Sequence, residues 1–96
     1  MCIPRNQETR MEITLNFKEY SRQTGAVDTW IDGYEINVHV EQDGEVVITA
    51  NKEGLLSLAT DLVTLAQDSV FSGCHMHFGP EYGLEPGSNS LILQRK

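Results

Sequence analysis

The chain has 96 residues, 40% of them hydrophobic, and a formal charge of −7. That is enough for one domain with a modest core and too apolar for a disordered segment. It is too acidic for a nucleic-acid binder or a ligand of anionic membranes, which would repel it. Two cysteines, Cys2 and Cys74, make no disulfide framework. No apolar run is long enough for a signal peptide or a membrane span, so the expectation is a soluble protein of the reducing cytoplasm.

Residues 1–10 are polar and aperiodic, and they predict a flexible N-terminus ahead of a single α+β domain over 11–96. Met11, Ile13, Leu15 and Phe17 alternate with Glu12, Thr14, Asn16 and Lys18, which predicts a half-buried strand. The polar stretch from Glu19 to Asp28 reads as a loop. Trp30 and Tyr34 are read as residues of the core or its edge, with an interface role as the alternative. Tyr34, Ile36, Val38 and Val40 then alternate with Glu35, Asn37, His39 and Glu41 in the clearest strand of the chain.

The turn that follows can be read in register. A two-residue loop at Asp43-Gly44 would put Val46 and Ile48 on the wet face beside Glu41 and His39. A three-residue loop, Gln42-Asp43-Gly44, pairs Val40 with Val46, Val38 with Ile48 and Ile36 with Ala50, so that every apolar residue meets another. The pattern therefore predicts the three-residue loop, with Gly44 left-handed in a bulge.

Asn51 to Asp68 is the strongest helical segment. Asn51 can cap the first turn, and Glu53 complements the positive end of the helix dipole. Leu55, Leu58, Ala59, Leu62, Leu65 and Ala66 form the stripe expected to be buried. Ser57, Thr60, Asp61, Thr64, Gln67 and Asp68 form a polar face without lysine or arginine, expected to be solvated or, second, to meet a partner. After a turn at Ser72-Gly73, Cys74, Met76 and Phe78 point one way in a strand and His75 and His77 the other. Gly79 to Asn89 is loop, and Leu91-Ile92-Leu93 predicts a closing strand covered on both faces, beside the first or third strand. The fold class expected is a two-layer α+β sandwich, β-β-β-α-β-β, with one amphipathic helix packed on an antiparallel sheet of about five strands.

Little here announces chemistry. Cys74 is predicted to face the core, where a thiol is inert. Serine elbows and glycine-rich phosphate loops are missing, so no catalytic or cofactor-binding residue is assigned. His39, His75 and His77 could bind zinc if their strands were neighbours, which makes a small metal-binding module or hydrolase an alternative reading.

The run Asn51-Lys52-Glu53-Gly54-Leu55-Leu56-Ser57-Leu58-Ala59, with Leu62 and Leu65-Ala66-Gln67-Asp68, resembles the immunity protein 32 family of bacterial polymorphic toxin systems. The likeness continues in Gly73-Cys74-His75-Met76-His77-Phe78, in Leu84-Glu85 with Gly87-Ser88, and in Met11-Glu12-Ile13-Thr14-Leu15. The chain departs from the family pattern at Gly79, where an acidic residue is frequent, and at its end, Leu93-Gln94-Arg95-Lys96, where the family strand is often acidic. The resemblance implies a non-enzymatic protein that binds and neutralises a cognate toxin stoichiometrically. An acidic chain suits a basic toxin. The surface expected to serve is the open sheet face or the acidic Glu81 to Glu85 loop, with His75, His77, Glu81, Tyr82 and Glu85 as the candidate contacts. A homodimer that pairs exposed sheet edges is a further alternative.

Overall fold

Asn51 is where the chain changes from strand to helix, and its carboxamide ties three segments together. In the computed structural model, which describes residues 12–15 and 30–96, Asn51 Oδ1 accepts from Gly54 N at 2.8 Å and Glu35 N at 2.9 Å, while Nδ2 donates to Gly33 O at 3.0 Å. The described elements are β1 (Ile36–Val40), β2 (Val46–Ala50), α1 (Lys52–Leu65), β3 (His75–Phe78) and β4 (Leu91–Gln94). Among the described residues no helix is long and apolar enough to cross a membrane.

β1 and β2 form an antiparallel hairpin in the register that the hydrophobic pattern predicts: Ile36 opposite Ala50, Val38 opposite Ile48, Val40 opposite Val46. Glu41 N–H donates to Glu45 O at 2.8 Å, which leaves a three-residue loop, and Gly44 takes a φ of 91°. Asp43 Oδ1 accepts from Glu45 N at 3.0 Å, and that backbone bond holds its carboxyl below its usual range.

The architecture is α+β, but the expected five-stranded sheet does not form among the described residues. The described strands make two separate two-stranded sheets, β1 with β2 and β3 with β4. Glu12, Ile13, Thr14 and Leu15 carry no regular structure, and the rest of the expected first strand, with the 19–28 loop and the 1–10 segment, falls outside the described residues. Among the described residues β4 pairs with β3 (Met76 opposite Leu93, Phe78 opposite Leu91), not with the expected first strand or with β2, the expected third. Its Ile92 is exposed, so β4 is not covered on both faces. The physical reason lies in the loop between them. Glu85 N–H donates to Ile36 O at 2.9 Å and Asn89 N–H to Val38 O at 2.6 Å, so this loop, not β4, occupies the second edge of β1.

Ser88 completes that edge. Its hydroxyl oxygen accepts from Val38 N at 2.7 Å, inside the core. Replacing Ser88 with alanine strands a buried N–H. We expect a loss of about 1.5 kcal/mol of stability, read by chemical denaturation, with no change in helix content.

The helix is rotated from the expected orientation. Its buried residues are Gly54, Ser57, Leu58, Thr60, Asp61, Thr64 and Leu65, whereas Leu55 and Leu62, expected inside, are about half exposed. The polar row can face inward because its hydroxyls are satisfied within the helix. Ser57 donates to Glu53 O, Thr60 to Leu56 O and Thr64 to Thr60 O, at 2.7, 2.6 and 2.8 Å. What remains outward from each hydroxyl is small and largely apolar, and it admits close packing. The chain at Trp30 and Ile31 then bonds to this row: Ile31 N donates to Ser57 Oγ at 2.9 Å and Trp30 Nε1 to Asp61 Oδ2 at 2.5 Å. At the other end, Arg95 Nη1 donates to Leu65 O at 2.9 Å and Gln67 O at 2.8 Å, a cap supplied from beyond β4. The helix stops at Leu65, short of the expected Asp68.

The core gathers Ile36, Val38, Leu58, Leu65, Val70, Cys74, Met76, Phe78 and Leu84, with Trp30, Tyr34, Ala50, Leu91 and Leu93 packed against it. Trp30 and Tyr34 are thus residues of the core edge, as read from the sequence.

Candidate functional site

Alternation along β3 sorts its side chains. Met76 and Phe78 are buried, while His75 and His77 are exposed on the opposite face with Ile92 and Gln94 of β4 across from them. The chain then makes a tight turn, Tyr82 N–H donating to Gly79 O at 2.8 Å and Leu84 N–H to the same oxygen at 3.0 Å. Buried Leu84 anchors this turn in the core. Tyr82 stands at its tip, 63% exposed. The His77 and Tyr82 rings lie 6.2 Å apart.

Behind them is an open hollow of about 430 Å³ lined by Trp30, Tyr34, His77, Phe78, Tyr82 and Gly83. Trp30 meets Tyr34 edge-on at 4.7 Å and Phe78 at 4.8 Å. Gly83 is needed here. Its φ is 94°, and a Cβ would sit 2.7 Å from the Trp30 ring. The hollow therefore offers ring faces and edges, one imidazole and two phenols, with the Glu81 carboxylate next in the chain to Tyr82.

Of the residues singled out from sequence, the structure brings His77 and Tyr82 together and keeps Glu81 and His75 exposed nearby in the chain. The His75 ring is held by Nδ1 donating to Gly73 O at 3.1 Å. Glu85 belongs elsewhere. It is half-buried and lines a different hollow with Glu35, Asn37 and Asn51. The alternative zinc set is not assembled. His39 lies on β1, in the other sheet, with Nε2 3.1 Å from Glu41 Oε1. Among the described residues no group of three His, Cys, Asp or Glu side chains is placed to hold a metal ion. Cys74 is buried and unpaired with another cysteine. The sequence marks Gly79 to Asn89 only as loop, and nothing local ties Trp30 to it across the chain.

The Immunity protein 32 family model matches residues 45–96, more than half of the chain. The chain belongs to the Immunity protein 32 family. Searches of curated proteins and of solved structures give no match. In this Immunity protein 32 member the matched region holds β2, α1, β3 and β4, and with them His75, His77, Glu81, Tyr82 and Glu85. β1, Trp30 and Tyr34 precede it, so the hollow joins matched and unmatched parts of the chain.

Proposed function

We propose that this chain is an immunity protein that binds a cognate toxin stoichiometrically in the cytoplasm of the bacterium that makes both, and neutralises it by occlusion rather than by catalysis. Its family membership supports the general role. The observation that carries the contact surface is Tyr82 exposed over the aromatic hollow, 6.2 Å from His77. Buried aromatic anchors dominate the energy of protein interfaces, and Tyr82 is poised to become one. Ring faces beside a carboxylate suit the guanidinium of an arginine, which stacks and pairs at once. The net charge of −7 favours a basic toxin and speeds the encounter. On this reading His75, His77, Glu81 and Tyr82 form the contact, and Glu85 stands outside it.

The test uses the purified cognate toxin domain. Tyr82→Ala and His77→Ala should each weaken binding about tenfold, roughly 1.4 kcal/mol, in calorimetric titration, while the thermal midpoint of the free protein holds. Wild-type affinity in both variants removes this surface from consideration.

A further inference from the structure

Among the described residues no strand pairs with the outer edge of β2. The Glu41 N–H to Glu45 O bond sets the phase of the hairpin ladder. By antiparallel alternation, Val47 and Thr49 turn their backbone groups toward β1, and Val46, Ile48 and Ala50 turn theirs away. The same phase is visible on β1. Its outward groups, at Ile36 and Val38, are the ones taken by Glu85 N–H, Asn89 N–H and the Ser88 hydroxyl. β1 is thus covered on its second side at Ile36 and Val38. Among the described residues β2 pairs only with β1.

The side chains on this edge match its open backbone. Val46 is 62% exposed and Ile48 42%, although both share the apolar face that leads to buried Ile36 and Val38. The sequence Val46-Val47-Ile48-Thr49-Ala50 contains no charge and no proline, the usual devices that keep an edge from pairing. At the tip stand exposed Glu41, Asp43 and Glu45, and no lysine or arginine lies between Val40 and Asn51.

We propose that β2 is a docking edge that receives an extended, basic segment of the toxin as an added strand. Main-chain bonds at Val46 and Ile48 would give affinity, and the apolar side chains with the tip carboxylates would select the segment. Charge decides the occupant: a second copy would bring another chain of charge −7 against the same carboxylates, whereas a basic strand is attracted to them. The inference rests on the immunity reading above and adds the mode of recognition.

The probe is the same purified toxin domain. Ile48→Pro removes an outward N–H and leaves the β1 ladder whole, as prolines on edge strands do. Val46→Lys keeps the backbone and places a repelling charge at the edge, so the test survives if the proline variant fails to fold. Each should lower affinity at least tenfold. In the wild-type complex, hydrogen exchange should slow at the Val46 and Ile48 amides. Undiminished binding by Val46→Lys, with both amides exchanging as fast as in the free protein, overturns the docking edge while leaving the immunity role intact. Slowing of those amides with protein concentration, without toxin, assigns the edge to a second copy and overturns the toxin as occupant. Absence of any wild-type binding overturns the immunity reading itself.

Discussion

Replacing Phe78 with alanine should lower the unfolding free energy by about 3–5 kcal/mol, measured by chemical denaturation. The ring is 3% exposed, packs 4.8 Å from Trp30 and stands opposite Leu91 across the β3–β4 ladder. Its removal leaves a void in the core between Trp30 and the β3–β4 ladder, which cannot close without disturbing that pairing. A domain of this size has only about 5–15 kcal/mol in hand, so the variant should be partly unfolded near body temperature. Phe78→Leu, which retains most of the volume, should lose far less. A loss under about 1 kcal/mol for the alanine variant would mean that the ring is not an anchor of the core.

Gly54→Val should destabilise by about 3 kcal/mol, the upper end for overpacking. A Cβ at this position would stand 2.6 Å from Glu35 O, 2.8 Å from Ile36 Cγ1 and 3.1 Å from Ala50 Cβ. The nearest of these atoms is backbone, held by the hairpin and by Asn51, so it has little room to yield. Alanine is the sharper diagnostic. In an unobstructed helix the change from glycine gains up to about 1 kcal/mol, whereas here it should lose stability. A more stable Gly54→Ala protein would show that the helix can lift from β1 at no cost.

These two positions also show how the fold and the site were unequally legible. Phe78 was readable because a strand alternates strictly: once Cys74, Met76 and Phe78 share a face, His75 and His77 must share the other, and the structure has them so. The β1–β2 register was readable for the same reason, since only one loop length pairs apolar residues throughout. Gly54 was not. In sequence it interrupts a helix, and its use appears only when β1 is laid against it. The helix face was misjudged because hydropathy counts a hydroxyl as polar whether or not it is already bonded. Ser57, Thr60 and Thr64 bond to their own helix and pack as small residues.

By itself the sequence determined the elements that rest on local rules: the Asn51 cap, the left-handed Gly44, the hairpin register, and the paired histidines on an exposed strand face. It also carried the family likeness that the matched residues 45–96 bear out. Tertiary structure alone decided which edge each strand shows, because that depends on contacts far apart in the chain. The Glu85–Asn89 loop takes the edge of β1, Arg95 caps the helix, and Trp30 reaches Asp61 and Phe78. Periodicity reports which way a side chain points from its own backbone. It does not report what another segment will bring to meet it.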